Sequence, residues 1–338
     1  MPYPRKNSRV IRRSERLVRQ VNSESSNSDS LSVPHLIGLI GGALCISFAP
    51  IFAVLSTDLS HVGMWDSAFW RVCIGAIAMG IFMAVTGGFR IRKRESASGK
   101  SGGLWLGWLW FPGVIFAADF WAWHWSFENT SVANSTLLAN TAILWVTLFA
   151  WLVWKEKITK RFVFGASIAF GGMILLMLSS TNREPPRAGN PVFGDFLALL
   201  TAVFYATYQL SMKRYRRERS APLLMFCASA VAAIVLFPLA FFHKAPLLPD
   251  SLIGWLPLIG LGVISHACGQ GLIAWALGSL PSSSASVILL VQPVATAFLG
   301  KWILDQPLVP WQIAGATLVL VGLFFAIQGQ VRRPRRAT

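Results

Sequence analysis

Two charged side chains lie inside long apolar segments of this chain, where a charge is costly. Arg71 and Asp119 each fall within an apolar run of about 20 residues, the length that spans a bilayer as a helix. A charge within hydrocarbon costs ~2.5–3.5 kcal/mol on insertion scales, so both side chains are expected to face the interior of a helix bundle. Each lies about four residues from the middle of its run, on the same side, and consecutive helices are usually neighbours. We therefore predict a charge pair between them, either purely structural or also in contact with a ligand.

Uncharged polar and aromatic side chains occupy the middle of other apolar segments. His266 and Gln270 are one helical turn apart and share a face, and Gln292 precedes Pro293, whose missing N–H frees a backbone carbonyl. Such groups either tie helices together or line a cavity. A cavity with a carboxylate, amides and aromatic faces would suit a small zwitterion or an organic cation. The predicted substrate-binding residues are Asp119, Trp123, Asn140, Tyr205, His266, Gln270 and Gln292.

The composition is that of an integral membrane protein. The chain is 54% hydrophobic, its mean hydropathy is +0.55, and only 13% of its residues are charged. A soluble protein would have roughly 25% charged residues, and the sequence lacks the strand-like alternation of a β-barrel. Ten spans are predicted, at approximately residues 35–55, 65–86, 104–126, 132–153, 162–180, 193–212, 222–242, 252–276, 283–303 and 309–328.

Positive charges are concentrated in alternate connections between these spans. Of the 30 Lys and Arg residues, 25 lie in the two terminal tails and in the connections 87–103, 154–161 and 213–221. Because Lys and Arg in short loops favour the cytoplasmic side, both termini are predicted to be cytoplasmic, whereas 56–64 and 181–192 face outward. This placement explains the net charge of +16 without a nucleic-acid partner, and the basic tails are expected to contact membrane lipids.

The two halves of the chain match each other, without a gap, at an offset of 150 residues. Trp125 aligns with Trp275, and Glu156 with Gln306. A helix connection within the first copy, KEKITKR, holds four cations, whereas its counterpart in the second copy, DQPLVPW, holds none. Five spans in each copy invert the second copy, so the sequence predicts an all-α integral membrane protein with ten transmembrane helices as two inverted five-helix repeats. The predicted units are a basic, disordered tail at 1–34, repeats at 35–180 and 193–328, and a basic tail at 329–338.

The aligned segments resemble the two signature regions of EamA-type transporters, which belong to the drug/metabolite transporter superfamily. The resemblance is carried by WHWSFENTSVANSTLLANTAILWVTLFAWLVWKEKIT at 123–159 and by GQGLIAWALGSLPSSSASVILLVQPVATAFLGKWILDQPL at 269–308. Arg71 and Glu156 also match the family pattern, and the similarity extends over about residues 36–328. It implies ten helices around a central cavity, cytoplasmic termini, and movement of small metabolites, often outward.

Taken together, these features predict a secondary active transporter that moves a small metabolite across a bacterial inner membrane by alternating access. The expected solute is an amino acid or an amine-like compound, moved outward, and the expected partners are this solute, membrane lipids and a coupling proton or ion. A passive channel, a lipid scramblase and a membrane-embedded enzyme remain as alternatives. Since the sequence contains no catalytic motif, the chain is predicted not to be an enzyme and to need no cofactor or metal.

Overall fold

The structure, a computed structural model, describes most of the chain outside its tails. The described residues are 32–87, 109–130, 132–156, 158–181, 189–216, 218–242 and 246–330. Nearly all of the two predicted tails and of the 87–103 connection, and much of the 181–192 connection, lie outside the described residues. Where the chain is described, it is all-helical and contains no strand.

Each helix is numbered in chain order, and one segment has the wider π-helical winding. The helices are α1 (Val33–Ser47), α2 (Ala49–Ser60), α3 (Met64–Thr86), α4 (Phe111–Asn129), α5 (Val132–Ala139), α6 (Ala142–Trp154), α7 (Lys160–Thr181), α8 (Pro191–Arg216), α9 (Ala221–Phe242), α10 (Trp255–Gly260), the π-helix (Leu261–Gln270), α11 (Gly271–Leu277), α12 (Ser282–Ile288), α13 (Val291–Ile303) and α14 (Pro310–Gln330).

Nine helical segments of the described chain are long and apolar enough to cross a membrane. Their outer faces carry large apolar side chains, such as Val85 and Ile234, which are 82% and 72% exposed and would be unfavourable in water. The predicted third span is the exception, because residues 104–108 lie outside the described part and α4 carries Asp119 and His124. The first span is longer than predicted: α2 continues to Ser60, so the expected 56–64 connection is reduced to residues 61–63.

Four of the spans are interrupted, and the sequence supplies a reason for three of the breaks. The α1–α2 junction lies two residues before Pro50 and the α12–α13 junction just before Pro293, since proline cannot donate a helical hydrogen bond. Between α5 and α6, the Asn140 side chain donates to the backbone oxygen of Thr136 at 2.8 Å and competes with regular helical bonding. The fourth interruption is the π-helix, Leu261–Gln270, a rare geometry that often occurs at functional sites.

Helices α7 and α14 pack closely through glycines. A Cβ added at Gly165 would lie 2.3 Å from the backbone nitrogen of Ala326. The equivalent position 150 residues later is Gly315, where a Cβ would lie 2.7 Å from the backbone nitrogen of Leu176, itself the equivalent of Ala326. Leu176, the later residue of α7, thus meets Gly315, the earlier residue of α14, so the two helices are antiparallel. Equivalent residues of the two copies make reciprocal contacts. Only glycine allows the two backbones to approach this closely.

The same turn ends α6 and α13. Lys155 and Asp305, which are 150 residues apart, both adopt left-handed backbone conformations, with φ of 52° and 51°. In each copy the next residue donates its backbone N–H six residues back, from Glu156 to Ala150 at 3.2 Å and from Gln306 to Gly300 at 3.1 Å. The repeat seen in the sequence therefore extends to local backbone structure.

Candidate functional site

A cavity lies where the four interruptions meet. Pro50 after the first break, Asn140 at the second, Gln270 at the end of the π-helix, and Gln292 and Pro293 at the last all line it. Its volume is about 170 Å³, close to the ~150 Å³ that holds a benzene-sized molecule. Irregular backbone at membrane depth is tolerated where it lines a cavity, which accounts for the clustering of the breaks.

Arg71 on α3 and Asp119 on α4 both line this cavity and are almost fully buried. They lie near enough to interact electrostatically, but no ion pair within 4.0 Å joins these two described residues. The Arg71 guanidinium instead lies over the Phe120 ring, 5.0 Å from its centroid, in a cation–π contact. The structure therefore brings the two charges to one cavity without the direct salt bridge expected of a purely structural pair.

Six of the seven predicted substrate-binding residues line the cavity. They are Asp119, Trp123, Asn140, Tyr205, Gln270 and Gln292.

His266 is the exception, because it lies behind the cavity wall. Its Nε2 is 2.8 Å from Ser229 Oγ, and its ring stacks on Phe116 with centroids 5.6 Å apart. A Cβ added at Gly75 would lie 2.3 Å from the His266 ring, so the imidazole fills the space above the α3 backbone. The contacts of His266 tie the π-helix to α3, α4 and α9, and Phe116 takes the place at the cavity that the sequence assigned to the histidine.

Five buried polar atoms of cavity residues have no hydrogen-bond partner within the described protein. Three are donors, namely Arg71 Nε, Trp123 Nε1 and Gln292 Nε2, and one is an acceptor, Asp119 Oδ1. The fifth is the hydroxyl Oγ1 of Thr201, which can donate or accept. A buried polar atom that lacks a partner costs ~1–3 kcal/mol, and more when it is charged. The cavity is thus suited to a solute that accepts hydrogen bonds at one group and donates them at another.

A second polar cluster lies at one end of the helix bundle. It consists of Glu156, Lys213, Ser282 and Ser283 and is called the Glu156 cluster below. Lys213 Nζ lies 2.6 Å from Glu156 Oε1, which also accepts the Ser282 N–H at 2.9 Å. Glu156 Oε2 accepts the Ser283 N–H at 3.1 Å and the Ser283 hydroxyl at 2.9 Å.

The Glu156 cluster favours the ionised carboxylate. Burial alone would raise the pKa of Glu156, but the Lys213 ammonium and the N–H groups of Ser282 and Ser283 outweigh it and hold this pKa below its usual range. Both charged side chains are mostly shielded, with exposed fractions of 14% for Lys213 and 13% for Glu156.

Residues 34–178 and 192–328 each match the model of the EamA-like transporter family. The chain belongs to the EamA-like transporter family. The resemblance predicted from the signature regions is therefore confirmed, and membrane insertion through multiple helices agrees with the nine apolar segments.

Several similar proteins are named as transporters, and their names state no solute. An uncharacterized transporter of Archaeoglobus fulgidus is 29% identical over 57% of this chain and 67% of its own length. A second one from that organism is 26% identical over 58% of this chain and 60% of its own length. The uncharacterized transporter YyaM of Bacillus subtilis is 24% identical over 81% of this chain and 87% of its own length. A solved crystal structure has a TM-score of 0.70 at 16% identity, covering 87% of this chain and 96% of that one, which shows a shared fold.

Several cavity residues of this EamA-like chain were not predicted. Phe116 and Phe120 line the cavity beside Asp119 and Trp123, and the four positions follow the i, i+3, i+4, i+7 pattern of one helical face. That periodicity, drawn from Asp119, is the signal that would have found both phenylalanines. Thr296 was also missed, and no comparable signal marks it, since it depends on how α13 packs.

Proposed function

We propose that this EamA-like protein is a secondary transporter that binds a small solute in the cavity and moves it by alternating access. The observation that carries the proposal is the cavity itself, where Arg71 and Asp119 are buried together without a salt bridge. Buried charges normally pair with each other or mark a substrate pathway. Since these two face one cavity without bonding, a solute that contacts both would satisfy them.

The arrangement of the spans supports an alternating-access mechanism. The antiparallel α7–α14 contact is reciprocal between positions 150 residues apart, as a two-fold axis in the membrane plane would require. In transporters built from inverted repeats, the substrate site lies near the midplane between the repeats, at discontinuous helices. The breaks before Gln292 and at Asn140 lie in equivalent helices of the two copies and both border the cavity. We infer a ten-helix architecture of two inverted five-helix repeats, with α4 as the third span.

The solute class follows from the polar atoms at the cavity. A carboxylate would suit the N–H groups of Arg71 and Gln292, and an ammonium would suit Asp119 and the aromatic faces nearby. A small amino acid or an amine-bearing metabolite fits these groups and the cavity volume. A sugar phosphate fits less well, because Arg71 is the one buried cation among the cavity residues and Asp119 offsets its charge.

The distribution of Lys and Arg supports an orientation with both termini cytoplasmic. We propose a multi-pass protein of the bacterial inner membrane that exports its solute, driven by a coupled proton or ion.

The test is solute counterflow in proteoliposomes that contain only the purified protein. Vesicles are preloaded with single amino acids or polyamines, and uptake of the radiolabelled compound is followed without nucleotide. Saturable counterflow for at least one amine-bearing solute is expected, and Asp119→Ala is expected to abolish it in protein that still elutes as a single species. The matched control is Gln306→Leu, an exposed amide at the end of α13 that does not line the cavity.

Other outcomes decide between the alternatives. Flux that rises linearly with concentration and shows no counterflow would indicate a channel. Equilibration of fluorescent lipid between leaflets without solute flux would indicate a scramblase. Saturable counterflow that is unchanged in Asp119→Ala would place the binding site outside this cavity.

A further inference from the structure

The Glu156 cluster joins three helices that also border the cavity. Lys213 on α8 lies eight residues beyond the cavity residue Tyr205, roughly 12 Å along the helix axis. Ser283 lies nine residues before the cavity residue Gln292, a similar distance along α12 and α13, on the same side. Glu156 follows the end of α6, the helix that continues from the cavity residue Asn140. The cluster therefore ties the helices together between the cavity and one end of the bundle.

The contacts of the cluster cross between the two copies of the repeat. Glu156 belongs to the first copy, whereas Lys213, Ser282 and Ser283 belong to the second. Each contact must break if the end of α6 moves away from α8 and α12. The contacts stabilise the conformation in which this end is closed. Their contribution to its free energy is large, because a hydrogen bond to a charged group is stronger than one between neutral groups.

The equivalent turn of the second copy lacks this chemistry. The residue at the Glu156 position is Gln306, which is uncharged and exposed. The residue 150 positions before Ser283 is Ala133, which has no hydroxyl group to donate. The backbone turn is shared by the two copies, but within the part of the chain that the structure describes, the ion pair and the serine contacts occur only at the Glu156 turn.

We propose that the Glu156 cluster is a gate that closes one end of the cavity and must open for a solute to pass at that end. The inference rests on the proposed transport function and assigns Glu156 a role in it that the cavity does not require. The carboxylate is the central group, because it alone contacts all three partners. Removing it breaks the polar contacts that join the end of α6 to both α8 and α12, whereas removing the Lys213 ammonium leaves the serine contacts in place.

The test measures access to the cavity and needs no known solute. Ala139 lines the cavity and is replaced by cysteine as a reporter, in a protein whose four native cysteines are changed to serine. Labelling by a membrane-impermeant maleimide is timed separately in right-side-out and inside-out vesicles. Glu156→Ala is expected to speed labelling from the side of the cluster about tenfold, equivalent to ~1.4 kcal/mol. Glu156→Gln, which keeps an acceptor for the serines, is expected to have a smaller effect.

Gln306→Ala is the matched control, because it truncates the equivalent residue of the other copy. In this variant, labelling of the reporter cysteine from the cluster side is expected to stay at the native rate. If Glu156→Ala elutes as aggregate, the labelling rate of Glu156→Gln is used in its place. A native labelling rate in whichever of these variants is folded overturns the gate. The transport proposal is judged separately by counterflow. Native counterflow with unchanged access in Glu156→Gln refutes only the gate, whereas faster access without counterflow of any solute refutes only the transport proposal.

Discussion

The glycine contact between α7 and α14 makes a prediction whose size follows from the structure. A Cβ at Gly165 would lie 2.3 Å from the Ala326 nitrogen, whereas ordinary contact begins at 3.4 Å, so Gly165→Ala must separate the helices by about 1 Å. Overpacking of this kind costs ~1–3 kcal/mol, and the clash is with backbone, which cannot rotate away. Alanine is also a better helix former than glycine by ~0.5–1 kcal/mol. We expect a net destabilisation of ~1–2 kcal/mol.

Gly171 provides a matched control on the same helix. A Cβ there meets no atom within 4 Å, so Gly171→Ala is expected to be neutral or to stabilise by up to ~1 kcal/mol. The two variants are compared by thermal unfolding of purified protein in detergent, followed by size-exclusion chromatography. The melting temperature falls by ~2–4 °C for each kcal/mol of destabilisation. The melting temperature of Gly165→Ala should therefore lie ~2–8 °C below that of Gly171→Ala. Because the contact is reciprocal, Gly315→Ala should resemble Gly165→Ala. Equal melting temperatures for Gly165→Ala and Gly171→Ala would refute the close helix crossing.

Three further predictions concern binding, orientation and pH. Gln292→Leu keeps the size of the side chain but removes a buried donor. Loss of ~1.4 kcal/mol of binding free energy would raise the half-saturation concentration for counterflow about tenfold, at an unchanged protein level. An unchanged half-saturation concentration would exclude Gln292 from the site. Cysteines at Ser98 and Asn182 test orientation: an impermeant maleimide added outside intact cells should label 182 and not 98, and the reverse pattern would refute cytoplasmic termini. The pKa of Glu156 is lower in the folded protein than in the unfolded chain, where it is about 4.3. The contact with Lys213 therefore stabilises the fold fully above the unfolded pKa. This stabilisation is lost as pH falls through the lower pKa of the folded protein. The melting temperature of Glu156→Gln should therefore lie below that of the native protein at pH 7 and approach it below pH ~4; a pH-independent difference would show that the carboxylate charge is not responsible.

Membrane insertion, family membership and the positions of most spans could be predicted from the sequence. Each follows from a local property: an apolar run long enough to cross a bilayer, or signature residues near Glu156 and Gln292. The turns at Lys155 and Asp305 were not predicted, although they lie at the same 150-residue offset as the aligned segments. The boundaries that were missed, such as the extension of α2 to Ser60, depend on weak local signals at helix ends.

The contents of the cavity were only partly predictable. Intramembrane polarity marks Asp119 and Gln270 for the interior of the bundle, because hydrocarbon penalises them wherever the helices pack. It does not separate a residue that faces the cavity from one that bonds to the next helix. His266 has the same sequence signal as Gln270, yet it bonds to Ser229, because helix rotation and the neighbouring Gly75 direct it away from the cavity.

The sequence by itself determined that this chain is a helical membrane protein of the EamA-like family, since hydropathy, charge placement and repeat spacing are properties of the chain read in order. The tertiary structure alone decided that Arg71 and Asp119 share a cavity without a salt bridge, and that Glu156 contacts Lys213 and Ser283, 57 and 127 residues away. Contacts between residues so distant along the chain depend on the rotation and depth of each helix against its neighbours, which the packing of all the helices sets together.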